Sequence, residues 1–125
     1  MKIKNKIIKY AENLFLIIVV ACVCCNLITG LTGKSHIFGY KPLFIMSGSM
    51  EPTIKTYQLV LSVPVTADEV SVNDIVTYTS PSGLRIIHRI IDITDEGFVF
   101  KGDNNAKSDE NIVKADQIGY KVIWY

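Results

Sequence analysis

A serine hydroxyl attacks a carbonyl usefully only when a neighbouring base takes its proton, and a histidine, with an ordinary pKa near 6.5, suits that task at neutral pH. The chain has two histidines, His36 and His88. His88 lies in Leu84-Arg85-Ile86-Ile87-His88-Arg89-Ile90-Ile91, where period-two alternation puts Ile86, His88 and Ile90 on one face and Arg85, Ile87, Arg89 and Ile91 on the other. A histidine on an apolar face is ordinarily a packed structural residue. His36, among Gly33, Lys34 and Ser35, is the poorer candidate for a base. The hydroxyl to pair with it is Ser49, in Met46-Ser47-Gly48-Ser49-Met50-Glu51-Pro52-Thr53. Gly48 admits backbone angles that other residues resist, and Pro52 fixes its own φ and pushes Glu51 toward an extended form, so the tip is expected to be shaped. Taken alone, these eight residues also fit a plain Ser/Gly turn. A base of this kind needs an orienting acid, and Lys101-Gly102-Asp103-Asn104-Asn105-Ala106-Lys107-Ser108-Asp109 offers Asp103 and Asp109. The competing interpretation of that stretch is a polar loop with Asx turns.

Other chemistries fit less well. Counting Asp103 as the first position of a calcium loop puts Ser108 where glycine belongs and Lys114 where the closing glutamate belongs. No metal and no cofactor is indicated, and no glycine loop of the phosphate-binding kind is present. A formal charge of +1 over 125 residues gives no basic excess to suggest nucleic acid.

The elements that must position these residues begin with an apolar run. No residue from Leu14 to Leu31 is charged, and eleven of them are Leu, Ile, Val or Phe. Their insertion into a bilayer is worth about −3 to −7 kcal/mol, enough to outweigh Asn26. Lys2, Lys4, Lys6 and Lys9 precede the run against Glu12, with only Lys34 and Lys41 soon after it, so the positive-inside rule puts the amino terminus in the cytoplasm. The expected organisation is a basic cytoplasmic segment over 1–12, a transmembrane helix over 13–31 and an extracytoplasmic domain over 32–125. A cleaved signal peptide would end at small residues after a shorter apolar stretch, and no Ala-x-Ala pattern follows here. Val19-Val20-Ala21-Cys22 has the look of a lipoprotein signal, but the chain stays apolar beyond it. Cys22, Cys24 and Cys25 all lie in this run, so the outer domain holds no disulfide, and the three read as small apolar residues.

The outer domain has a β pattern. Strands are expected at Tyr57 to Val63, Ile75 to Thr79, Leu84 to Thr94, Phe98 to Phe100 and Tyr120 to Tyr125, with turn signals at Ser80-Pro81-Ser82-Gly83 and Asp95-Glu96-Gly97. Ala67 to Val70 and Lys114 to Gln117 are each long enough for a single helical turn. The fold class is mainly β: a small catalytic β domain behind one amino-terminal transmembrane helix.

Three stretches together, Ser-Gly-Ser-Met-Glu-Pro-Thr at 47–53, Ile-His-Arg-Ile at 87–90 and Lys-Gly-Asp-Asn-Asn at 101–105, resemble the successive motifs of type I signal peptidases. More narrowly they resemble the branch found in the endoplasmic reticulum, archaea and some Gram-positive bacteria. The resemblance implies a serine endopeptidase that removes signal peptides from secreted preproteins through an acyl-enzyme. By position, Ser49 matches the nucleophile, and His88 stands where the bacterial housekeeping branch has a lysine base. Asp109 matches the acid of the triad, Asp103 a second acid important to activity, and Ser47 a hydroxyl that helps to bind the oxyanion. Which acid touches His88 stays open at this point. The implied substrate is a preprotein in the same membrane, bound extended against a strand, with small residues one and three places before the cut. Ser49 follows Leu31 by 18 residues, which keeps such a site near the bilayer surface. Some relatives continue into a second membrane span or carry a large extra β domain, so the resemblance points to a minimal catalytic core with lipid contacts and room for a partner subunit. Two other classes compete. A self-cleaving repressor-type peptidase would need a lysine base and a DNA-binding domain, and neither is found. A catalytically silent anchored β domain that binds a partner or the cell wall is the alternative to an enzyme.

Overall fold

The computed structural model describes residues 2–32 and 39–125, with side chains described for 6–24 and 39–125. The chain divides into two compact units, residues 1–37 and 38–125.

The first unit is one helix, α1, Lys2–Thr32. Leucine, alanine and lysine favour it, and no glycine or proline interrupts it before Gly30. Within it, Lys6–Cys24 is the one stretch among the described residues long and apolar enough to cross a membrane. Its 19 residues rise about 28 Å, close to the thickness of a bilayer's hydrocarbon core. The helix runs through the basic segment expected to precede the span, and it shows no boundary at residue 12.

The second unit is a six-stranded antiparallel sheet in the order β1-β2-β6-β3-β4-β5. The strands are β1 Lys41–Phe44, β2 Leu59–Pro64, β3 Ile75–Thr79, β4 Arg85–Thr94, β5 Gly97–Lys101 and β6 Ile118–Trp124. Single 3-10 turns at Ala67–Glu69 and Ala115–Gln117 fall where short helical turns are expected. The expected β-rich architecture is therefore present, with two local corrections. β1 carries no strong sequence signal: four residues containing a proline pair only with β2, at the edge of the sheet where proline is tolerated. Tyr57 does not open β2. It sits at φ 64, donates its N–H to the Ile45 carbonyl at 2.7 Å and stacks its ring on Phe44, so a tertiary contact overrides its β preference.

β3 lies inside the sheet and is buried on both faces, which is why Ile75-Val76-Thr77-Tyr78 reads as a near-continuous apolar run. Its alternation feeds two cores. Val76 and Tyr78 join Ile90, Phe98, Phe100 and Val113, whereas Ile75 joins Ile45, Met50, Ile54, Val60 and Val122. β4 divides likewise, with Ile86 and Ile90 packed in the first core and Ile87 against the second. The face assignment made from sequence for His88 holds, since Ile90 and His88 are buried while Arg85 and Ile91 are exposed.

Candidate active site

β1 runs into Ile45, whose buried side chain joins the second core and whose N–H donates to the Gln58 carbonyl at 3.0 Å. The chain then turns on itself. Glu51 N–H reaches the Gly48 carbonyl at 3.1 Å and Ile54 N–H reaches the Met50 carbonyl at 3.0 Å. Met50 and Ile54 are wholly buried, so the residue after Ser49 is an apolar anchor and the serine is carried beside it, half-buried. Glu51 braces the far side by accepting the Thr56 hydroxyl at 2.7 Å and the Thr56 N–H at 3.1 Å. These two bonds, the hydroxyl's first, hold the Glu51 carboxyl below its usual range. Gly48 has no positive φ, contrary to the expectation that its backbone freedom shapes the tip. Anchoring by Met50 and bracing by Glu51 do that instead.

The Gly-Asp-Asn-Asn stretch after β5 clamps this loop. Asn104 donates its N–H to the Ser49 carbonyl at 2.9 Å and its Nδ2 to the Gly48 carbonyl at 3.1 Å. Gly102 is buried so close to the same strand of chain that a Cβ there would stand 2.6 Å from the Ser49 carbonyl oxygen.

The two acids separate. Asp109 Oδ2 lies 2.7 Å from His88 Nδ1 and also accepts the Tyr78 hydroxyl at 2.6 Å. A carboxylate acceptor on that side assigns the imidazole proton to Nδ1 and leaves Nε2 with a free lone pair. Asp103 turns to the other face of β4. It accepts Arg89 Nε at 2.8 Å and Nη2 at 2.6 Å in a bidentate pair, and it takes the Thr53 hydroxyl at 2.6 Å. The Arg89 bonds, and then the Thr53 hydroxyl, hold the Asp103 carboxyl below the usual carboxylate range, against the opposing effect of burial. The same bonds push Arg89 further up. Arg89 Nη1 also reaches the Asn73 carbonyl at 2.8 Å.

Ser47, Ser49 and His88 line one cavity of about 480 Å³, whose other walls include Leu43, Phe44, Ile45 and Met46 on one side and Ile86 and Ile87 on the other. Ser49 Oγ makes its hydrogen bond with Ser47 Oγ at 3.3 Å. No direct bond joins Ser49 to His88 among the described residues, the open arrangement that serine-histidine pairs often show without substrate. Of the residues expected at the site, Ser47, Ser49, His88 and Asp109 thus gather around the cavity and its back wall. Asp103 stands behind the serine loop. His36 lies outside the described residues. Sequence reasoning passed over Tyr78, Arg89 and Asn104. Arg89 carries a usable signal, a cation one residue from His88 and hence on the opposite face, available to the second acid.

In comparison with known proteins, the chain is 38% identical over 101 residues to "Signal peptidase I W" of Bacillus subtilis (strain 168), covering 72% of this chain and 53% of the relative. It is 33% identical over 82 residues to "Putative signal peptidase complex catalytic subunit SEC11B" of Homo sapiens, covering 61% of this chain and 49% of the relative. The chain belongs to the type I signal peptidase family. No protein-family model matches it. The chain spans about half the length of these two signal peptidase relatives. A membrane location fits both the apolar α1 helix and the membership of the family.

Proposed function

We propose that the chain is a membrane-anchored serine endopeptidase that removes signal peptides from preproteins, with Ser49, His88 and Asp109 as its catalytic groups. The observation that carries this reading is the His88–Asp109 bond of 2.7 Å at the wall of a cavity that also holds Ser49. With the imidazole proton on Nδ1, Nε2 removes the Ser49 proton as Oγ attacks the peptide carbonyl. Asp109 stabilises the imidazolium so formed. The same proton goes to the departing amine, leaving an ester at Ser49, and a water activated by His88 then releases the acyl half. The Ser47 hydroxyl, 3.3 Å from Ser49 Oγ, is positioned to join the Ser49 amide in binding the oxyanion, a donor worth about 3 to 4 kcal/mol in the transition state. Asp103 serves indirectly, because its bonds to Thr53 and Arg89 tie the serine loop to β4.

The cavity's apolar walls suit the small side chains that precede a signal-peptide cut. The lysines at the start of α1 support a cytoplasmic amino terminus with residues 32–125 on the far side of the membrane, anchored by the span over 13–31. The human relative's name describes it as the catalytic subunit of a complex, and the exposed Phe44, Met46, Leu59 and Trp124 offer surface for a comparable partner here. Histidine at position 88 fits the branch of the family that uses a Ser/His pair. Full-length protein in liposomes should cleave a labelled preprotein, and Ser49→Ala should remove that cleavage without changing the unfolding transition. Cleavage by Ser49→Ala at the wild-type rate would leave the proposal without its nucleophile.

A further inference from the structure

His88 belongs to β4, a strand paired on both sides, by β3 and by β5. Asp109 does not share that support. It lies in the irregular stretch between β5 and β6, where its N–H donates to the Phe100 carbonyl at 2.8 Å, its one main-chain bond among the described residues. A carboxylate on such a stretch can turn about its side-chain torsions, and an acid that turns does not hold an imidazole in one tautomer.

Tyr78 supplies the missing constraint. It sits in β3 opposite Ile86, while Val76 sits opposite His88, so the phenol and the imidazole share a face of adjacent strands, one step of alternation apart. The ring is buried, 5% exposed, and packs on Phe100 with centroids 4.6 Å apart. Its hydroxyl donates to Asp109 Oδ2 at 2.6 Å, the oxygen that also faces His88 Nδ1. We propose that Tyr78 is a positioning residue of the site: its hydroxyl pins the Asp109 carboxylate to the inner strand β3, so that Oδ2 meets the Nδ1–H of His88 and keeps Nε2 free for Ser49. This rests on the catalytic reading of Ser49, His88 and Asp109 given above. Burial, and then the Asp109 carboxylate, push the phenol well above its usual range, so it remains a proton donor wherever the enzyme works. Lys107 and Glu110 share the cavity behind Asp109, and Arg85 shares the one in front of His88, but among the hydrogen bonds of the described residues none of the three reaches the carboxylate.

The test uses Tyr78→Phe, which keeps the ring and removes only the hydroxyl, in the full-length chain in detergent or liposomes. Cleavage of a labelled preprotein should fall about tenfold in kcat, the scale of one hydrogen bond to a charged group, with KM within about twofold of wild type. The second readout is the imidazole nitrogen spectrum. With only two histidines in the chain, a His36→Gln background assigns the His88 signals. Wild type should show the Nδ1–H tautomer, and Tyr78→Phe should show a growing share of Nε2–H. A wild-type kcat overturns the proposal, and so does a reduced kcat with the tautomer unmoved, which would make Tyr78 a packing residue only. Ser49→Ala, run alongside, separates the two levels. If it still cleaves, the catalytic reading fails; if it is inactive while Tyr78→Phe behaves as wild type, the positioning role alone fails.

Discussion

Replacing Gly102 with alanine should disable the site while leaving most of the fold in place. The new Cβ would stand 2.6 Å from the Ser49 carbonyl oxygen and 2.8 Å from Asn105 Nδ2. Ordinary contact distances are near 3.5 Å, so relief requires a displacement on the order of 1 Å. The Asn105 amide is the end of a side chain and can rotate away, but the Ser49 oxygen is backbone and is already bound to the Asn104 N–H at 2.9 Å. His88 cannot follow the loop, because β4 is paired on both sides. Ser49 therefore moves relative to His88. A misplacement of about 1 Å costs on the order of 100-fold in rate, or about 2.7 kcal/mol of barrier, while the overpacking itself costs about 1 to 3 kcal/mol of stability. Asn104→Ala gives a graded comparison, since it keeps the backbone bond to Ser49 and loses only the 3.1 Å bond to the Gly48 carbonyl. Single-turnover cleavage of a labelled preprotein, read beside thermal unfolding of the same full-length samples, separates rate from folded fraction. The reasoning is refuted if Gly102→Ala cleaves within about twofold of wild type, or if its whole loss is accounted for by unfolded protein.

Asp103→Asn should lower stability by about 1 to 2 kcal/mol, the lower part of the range for a charge-assisted pair, because Arg89 and Asp103 keep 25% and 17% of their side-chain surface exposed. The loss should depend on pH. The Asp103 carboxyl is held down chiefly by Arg89, so its contribution is present above the ordinary carboxylate range and disappears as pH falls through its lowered folded value; denaturant unfolding of wild type and variant should converge there, and a gap that persists in strong acid would contradict the assignment. Met50→Ala removes a wholly buried side chain from the second core and should cost about 2 to 5 kcal/mol in denaturant unfolding. Since Met50 is the buried anchor directly after Ser49, kcat of the folded fraction should fall as well.

Much of the β domain is legible in the sequence because its strands obey one period. β3 coincides with the expected Ile75 to Thr79, and β4 and β5 fall within a residue of their expected bounds. What is not legible is set by contacts distant in sequence. β1 exists because β2 lies beside it, and Tyr57 leaves its expected strand because Phe44 and Ile45 hold it elsewhere. The same limit applies at the site. Residue types alone name Ser49, His88 and two acids, yet they do not say which acid faces the histidine.

The alternation that hides His88 among isoleucines also settles how the acids divide. Neighbouring residues on a strand point to opposite faces, so His88 and its neighbour Arg89 present two basic groups back to back across β4. The segment that leaves β5 supplies Asp103 first and Asp109 six residues later, enough chain to pass from one side of β4 to the other. The nearer acid takes the arginine, which is permanently charged and offers two parallel donors, and in doing so secures Thr53 and the serine loop. The farther acid takes the imidazole, where one charge-assisted bond fixes a tautomer without adding a second cation to compete for the proton. The order His-Arg on the strand, read with the order of the two acids after it, is therefore a physical reason why one carboxylate meets His88 and the other meets Arg89 in this chain.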